Sequence, residues 1–243
     1  MKIGLAPCFA PSTAASASRE RYPCMDKVVL MSDPRVAAVP VHECGEPLID
    51  IRQRTRMLVD PRKQHDSSSY PYLRESVVER LCQAETSLPR GIRLLVVEGY
   101  RNPALQRRYF EDYARKLRAE NPAWPEEQIR PAASRFVSPP EIAPHSAGAA
   151  VDLTLVDNHG RELNMGTAVN ASPEESNGAC YTDAPGLSSE AQELRAVLGA
   201  ALRGVALVNY PTEWWHWSFG DRYWALATGA DNACYGPASL PRT

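Results

Sequence analysis

The sequence predicts an α+β protein in which helices pack on a small antiparallel sheet. Apolar residues at helical spacing predict several helices, and a near-continuous apolar run of strand length predicts a central strand. Strands and helices do not alternate regularly enough for a doubly wound parallel sheet. With 243 residues, of which 44% are hydrophobic, the chain can bury a sizeable core, so we expect a single domain over residues 25–243.

The N-terminal segment differs from the rest of the chain. Residues 1–24 are rich in Ala, Ser and Pro without periodicity, which predicts a disordered leader. The apolar run after Lys2 is too short for the core of a signal peptide, and no run reaches transmembrane length. Six cysteines without CxxC spacing are expected to be mostly buried thiols. We therefore expect a cytoplasmic protein, with the cell envelope as the less favoured location.

The elements of the first half follow from local patterns. Short strands are expected over residues 36–41 and 48–51, and a serine-rich loop over 65–71. Apolar residues at helical spacing predict a helix over 72–88, which the following Pro-Arg-Gly sequence ends. Residues 92–97 form the continuous apolar run that is typical of a central strand.

The second half begins with an N-cap pair, because Asn102 is followed by Pro103. On the strand expected over 151–156, Asp152 and Thr154 face one side and the aliphatic residues the other. Ser189 begins a capping box, and Gly204 follows the predicted helix end. The expected elements are helices over 103–120, 125–136 and 189–203, and strands over 151–156, 205–210 and 214–219.

Three short stretches carry residues suited to hydrolytic chemistry: Glu98 to Arg101, Pro144 to Asp152, and Glu213 to His216. Zinc binds imidazole and carboxylate groups, and a catalytic zinc site leaves one position open for water. Small residues between His145 and Asp152 allow the chain to turn into the strand, which makes a shared metal possible. Glu213 could then take a proton from that water. It can approach the same metal as His216 only if it lies in the turn before the strand, since three residues apart on a strand they would face opposite sides.

Each of these residues also has a structural interpretation. Asp152 could be a buried acid bonded to backbone, Glu213 an exposed turn residue, and Arg101 a solvated residue before a helix. Other enzyme classes have less support, because the sequence contains no Gly-x-Ser-x-Gly or Ser-x-x-Lys motif and no phosphate-binding glycine loop. A net charge of -2 without blocks of like charge argues against nucleic-acid or acidic-membrane partners and favours a small neutral or zwitterionic substrate.

Taken together, the motifs resemble the zinc D-alanyl-D-alanine dipeptidases, the VanX-type peptidases of vancomycin-resistance clusters. The likeness covers about Leu48 to Trp224 and rests on the order and spacing of the three stretches. It implies a fold shared with zinc D-Ala-D-Ala carboxypeptidases and the hedgehog signalling domain, with one zinc per chain and a small dipeptide substrate. The residue roles that it implies are zinc ligands at His145, Asp152 and His216, a general base at Glu213, and Arg101 as the group that stabilises the tetrahedral intermediate.

The sequence departs from that family where the substrate amino end is held. Family members have a serine two residues before the first ligand and an aspartate after a Met-Gly segment, where this chain has Ala143 and Asn170. We therefore expect Ala143 and Asn170 at the substrate's amino end. Two alternatives stay open: a carboxypeptidase or dipeptidase for other peptidoglycan-derived or natural-product peptides, and a non-catalytic binding domain. Retention of Glu213 argues against the second, because a structural site does not need a positioned base.

Overall fold

The computed structural model describes residues 28–240, so the expected leader over residues 1–24 lies outside the described part. The helices are α1 Pro34–Ala38, α2 Ile51–Arg54, α3 Glu75–Thr86, α4 Pro103–Glu120, α5 Glu126–Ala133, α6 Ser189–Gly204 and α7 Arg222–Thr228. Two short 3-10 helices span Pro61–Lys63 and Pro144–Ala147. The strands are β1 Leu48–Asp50, β2 Leu58–Val59, β3 Tyr72–Arg74, β4 Ile92–Glu98, β5 Ala150–Asp157, β6 Val208–Asn209 and β7 His216–Ser218.

The strands form two sheets. β1 and β3 form an antiparallel pair, and the larger sheet has the order β2-β4-β5-β7-β6. Its pairs are antiparallel except at one edge, where β2 runs parallel to β4. A parallel pair needs a crossover connection, and here that connection contains β3 and α3. The predicted α+β class with a small antiparallel sheet is confirmed, and the parallel edge strand is an addition to it.

The main core lies between the large sheet and the helices α3 and α6. It contains apolar residues of β4 and β5, such as Leu94, Val96 and Leu153, all fully buried. Three tryptophans around β7 complete it: Trp214, Trp215 and Trp217. Burying side chains of this size contributes roughly 1.5–3 kcal/mol each, so the core fixes the strands that carry the site. In residues 28–240, no helix combines the length and apolarity needed to span a membrane.

Most of the predicted elements are confirmed. The predicted central strand is β4, which lies between β2 and β5 in the large sheet. The strand expected over 36–41 is wrong. Asp33 accepts a hydrogen bond from the Arg35 amide and Pro34 takes the first helical position, so α1 forms there and only Val41 makes a bridge. The helix expected over 72–88 begins later, at Glu75, because Tyr72–Arg74 pairs with β1.

Smaller corrections concern the C-terminal half and the thiols. The N-cap of α6 is Ser188, not Ser189, since its side chain accepts from the Ala191 amide. The strands expected over 205–210 and 214–219 shorten to β6 and β7, because a turn occupies the residues between them. The expectation of mostly buried cysteines is wrong for the described residues: Cys180 is buried, whereas Cys44 is exposed and the other two are half-buried.

Candidate active site

The loop before β5 sets the position of His145. Pro144 begins a single 3-10 turn, and Gly148 ends it in the left-handed conformation with φ 66°. Both the Arg101 amide and the Ser146 hydroxyl bind across to the neighbouring segment: the amide donates to the His145 carbonyl at 3.2 Å, and the hydroxyl donates to the Arg101 carbonyl at 3.0 Å. The loop is thereby joined to the segment that follows β4, and His145 is 4% exposed.

The sheet register places Asp152 beside His216. These residues are directly opposite each other on the antiparallel strands β5 and β7. Opposite residues project to the same face, so both side chains point to the face on which His145 lies. Oδ1 of Asp152 lies 3.0 Å from Nδ1 of His216 and 3.3 Å from Nε2 of His145. The two histidine nitrogens are 3.2 Å apart.

These three groups fit a bound metal ion. Their ligand atoms lie within 4.8 Å of one another, and all three residues are buried. Nδ1 of His145 donates to the Gly99 carbonyl at 2.6 Å, which leaves Nε2 unprotonated and directed at Asp152. Burial lowers the pKa of His216 although the hydrogen bond with Asp152 opposes this, so the neutral, metal-binding form of the imidazole is favoured.

The Asp152 carboxylate is the charged member of this group. Burial alone would raise its pKa, but the neighbouring His145, followed by His216, holds the pKa below its ordinary value. Asp152 therefore stays ionised although it is only 2% exposed. Two nitrogens and one carboxylate oxygen converging in a buried site form the type of ligand set that zinc accepts.

Glu213 lies in the turn before β7, as the sequence required if it is to approach the same metal as His216. The Glu213 amide donates to the Tyr210 carbonyl at 2.9 Å, and the His216 amide donates to the Glu213 carbonyl at 3.2 Å. This turn places Oε2 of Glu213 3.7 Å from Nδ1 of His216. Burial, followed by the charge of Asp152, raises the pKa of Glu213 well above the ordinary glutamate value. The carboxyl group therefore has a high proton affinity in a position next to the candidate metal ligands.

Arg101 is held by Glu98 and Gln106, two residues for which the sequence indicated no individual role. Its Nε and Nη2 donate to the two oxygens of Glu98, both at 2.7 Å, and Nη1 donates to Oε1 of Gln106 at 2.9 Å. All three residues are buried. Glu98 follows the apolar run of β4 directly, which is a signal that a buried charge is present, but the sequence does not give its partner. Gln106 lies one turn into α4 and carries no comparable signal.

A cavity of about 350 Å³ brings the candidate residues together. His145, Asp152, Glu213 and His216 line it with Arg101, so all five expected metal-site and catalytic residues share one space. Asn170, in the left-handed conformation with φ 65°, also lines the cavity. Ala143 is buried at the start of the 3-10 turn and is not among the lining residues. Further lining residues that the sequence did not indicate are Lys63, Tyr109, Asp112, Tyr113, Lys116, Phe136, Val137 and Ser138.

An α+β domain whose cavity combines a buried His-Asp-His group, an adjacent glutamate and a fixed arginine has the arrangement of a metallopeptidase. Comparison with known proteins agrees with this class. A family model described as D-ala-D-ala dipeptidase matches residues 59–230, so the chain belongs to this metallopeptidase family.

Two curated relatives illustrate the relationship. A protein named D-alanyl-D-alanine dipeptidase from Synechocystis sp. is 29% identical over 219 residues, which cover 77% of this chain and 87% of the relative. A protein of the same name from Escherichia coli K12 is 39% identical over 72 residues, which cover 30% of this chain and 35% of that relative. The first match extends over most of both chains and therefore supports a common domain.

Proposed function

We propose that this protein is a zinc-dependent dipeptidase that hydrolyses D-alanyl-D-alanine or a closely related short peptide. The observation that carries the proposal is the convergence of His145, Asp152 and His216 in a buried cavity with Glu213 in the adjoining turn. The relative from Synechocystis sp., which is named D-alanyl-D-alanine dipeptidase, supports the choice of substrate.

In this proposal His145, Asp152 and His216 hold the zinc. Bound zinc would polarise the peptide carbonyl and lower the pKa of water to near neutrality. The proton transfers are assigned to a side chain of the protein itself. Glu213 accepts the proton of the attacking water and then donates it to the leaving amine, for which its raised proton affinity and its place in the cavity are suited.

Arg101 is suited to stabilise the oxyanion that forms on the scissile carbonyl. A guanidinium has five N–H donors, and here three of them are used by Glu98 and Gln106. The other two are available to a substrate oxygen. Because Glu98 and Gln106 hold the guanidinium in place, its donors need no reorganisation during the reaction, which is how preorganised donors lower a barrier.

The proposal is tested by a Glu213→Gln variant. This substitution keeps the shape of the side chain and removes the base, so we expect kcat/KM for D-Ala-D-Ala to fall at least about 100-fold. Zinc analysis should still find one ion per chain in the wild type and in the variant. Glu111→Gln, an exposed glutamate on α4, is the matched control and should retain activity and zinc.

Two results would contradict the proposal. Wild-type turnover in Glu213→Gln would exclude the role given to this residue. Failure of the zinc-loaded wild type to hydrolyse D-Ala-D-Ala, together with turnover of another dipeptide in the same panel, would replace the substrate and keep the reaction class. The panel should include L-Ala-L-Ala and an N-acetylated D-Ala-D-Ala.

A further inference from the structure

A second cation lies beside Arg101 in the cavity wall. The Asp60 amide donates to the Val96 carbonyl at 2.8 Å, so the 3-10 helix Pro61–Lys63 is attached to the end of β4. This places Nζ of Lys63 3.4 Å from Oε2 of Glu98, the same oxygen that accepts from Nη2 of Arg101. Lys63 and Arg101 also lie near one ring, with Nζ 5.4 Å and Cζ 4.9 Å from the centroid of Tyr109.

The hydrogen-bonding capacity of the Lys63 ammonium is largely unused. Its contacts with Glu98 at 3.4 Å and with Asp66 at 3.9 Å are both longer than an ordinary N–H···O bond. Both carboxylates have closer donors, because Glu98 binds Arg101 and Asp66 accepts from the Tyr109 hydroxyl at 2.8 Å. Lys63 lines the cavity with a side chain only 16% exposed, so its ammonium has N–H donors that a ligand there can accept from.

We propose that Lys63 binds the free C-terminal carboxylate of the substrate. In a dipeptide this carboxylate belongs to the residue that follows the scissile bond, so its partner must be a cation in the same cavity as the metal group. Arg101 is less suited, because Glu98 neutralises it at two short contacts and its remaining donors face the reacting carbonyl in the proposed mechanism. Lys63 thus makes the enzyme select peptides that end one residue beyond the cleaved bond. The assignment rests on the proposed function for the identity of the substrate.

The competing explanation is that Lys63 only compensates the buried charge of Glu98. That role would affect every substrate alike, since it acts through the position of Arg101. A carboxylate-binding role affects only substrates that have the carboxylate. The charge-compensating and carboxylate-binding roles are distinguished by comparing D-Ala-D-Ala with D-alanyl-D-alaninamide, which has nearly the same shape and lacks the negative charge.

The experiment uses Lys63→Met, which keeps an unbranched side chain and removes the charge, and Lys63→Arg, which restores a cation. Lys116→Met is the matched control, because Lys116 also lines the cavity but its side chain is 43% exposed, so solvent screens its charge. In zinc-loaded protein we expect Lys63→Met to raise KM for the free acid roughly 10- to 100-fold, the effect of losing one hydrogen bond to a charged group. KM for the amide should not change. Lys63→Arg should recover most of the preference for the acid, and Lys116→Met should keep the wild-type ratio.

A binding measurement keeps this test independent of turnover. Calorimetry on zinc-loaded Glu213→Gln, with and without Lys63→Met, gives the Kd of the acid and of the amide. A preference for the acid that disappears in Lys63→Met supports the assignment even if the wild type hydrolyses neither compound, in which case only the proposed function fails. Equal affinity for acid and amide with Lys63 present, or an equal loss for both without it, would overturn the assignment.

Discussion

Replacing Glu98 with glutamine should destabilise the protein strongly, because it leaves the Arg101 charge buried without a partner. Burial alone would raise the pKa of Glu98, but the charge and hydrogen bonds of Arg101, followed by the charges of Lys63 and His145, lower it from 4.5 to about 2. One pKa unit corresponds to about 1.36 kcal/mol, so the ionised Glu98 in its full surroundings stabilises the folded state by roughly 3 kcal/mol at neutral pH. Breaking a buried ion pair on one side costs roughly 3–5 kcal/mol in other proteins, which is the same scale.

The pH dependence of this contribution has a definite sign. The pKa of Glu98 is lower in the folded state than in the unfolded state, so its contribution is fully present above 4.5 and is lost as the pH falls towards about 2. The wild type should lose stability through this window, and Glu98→Gln should lose less. Urea unfolding followed by circular dichroism, in the presence of a chelator so that metal binding does not contribute, measures both proteins at neutral pH and inside the window.

The control is Glu126→Gln, which removes a carboxylate that also binds an arginine through both oxygens, in this case Arg118. That pair lies on the surface, with side chains 46% and 68% exposed, and exposed pairs contribute little. A free energy of unfolding that falls no further in Glu98→Gln than in Glu126→Gln would refute the reasoning. Combining Glu98→Gln with Arg101→Met removes both charges and should recover part of the loss, because the uncompensated cation is then absent.

Three further predictions concern the metal-binding residues, the stability of the loop before β5, and the substrate. His216→Ala removes one of the three proposed ligands and should abolish stoichiometric zinc binding, which metal analysis after dialysis can check. Gly148→Ala should lower the urea midpoint more than Gly160→Ala: both glycines have positive φ, which costs other residues roughly 1–2 kcal/mol, but only at Gly148 does an added Cβ meet a side chain, that of Leu48. Asn170→Asp should raise kcat/KM for free relative to N-acetylated D-Ala-D-Ala, since a charged partner binds an ammonium with roughly 1.5–3 kcal/mol against about 1 kcal/mol for a neutral one; an unchanged ratio would place the amino end elsewhere in the cavity.

The parts of the fold that depend on local patterns were accessible from the sequence. The apolar run of β4 and the N-cap pair that begins α4 are local signals, and both were predicted with nearly the observed bounds. The strand prediction over residues 36–41 is wrong because Asp33 and Pro34 begin a helix there, although the segment is rich in apolar residues. The helix prediction is wrong at Tyr72–Arg74 for a different reason. The helical periodicity is present in the sequence, but these residues pair with β1, a strand more than twenty residues earlier in the chain.

In the candidate site, too, local motifs could be predicted from the sequence and long-range contacts could not. His145, Asp152, Glu213 and His216 were recognisable because motif spacing connects them within two short stretches, and the structure brings them into one cavity. The Lys63 contact could not be predicted, because it depends on the parallel pairing of β2 with β4 across a crossover. The capacity of Glu98 to hold Arg101 likewise depends on where β4 ends and how deeply that end is buried.

The β5–β7 register links the candidate metal-binding residues to residues on the opposite face of the sheet. Next to the opposed pair Asp152 and His216 is a second pair, Val151 and Trp217, whose side chains occupy the other face of the sheet and are completely buried. A shift of one residue between these strands would exchange the two faces, bringing the Trp217 indole to the cavity and a proposed metal ligand into the core. The packing of Trp217 in the core therefore fixes the register that places Asp152 beside His216. Substitutions of Trp217 are constrained by the position of these two residues on the opposite face of the sheet.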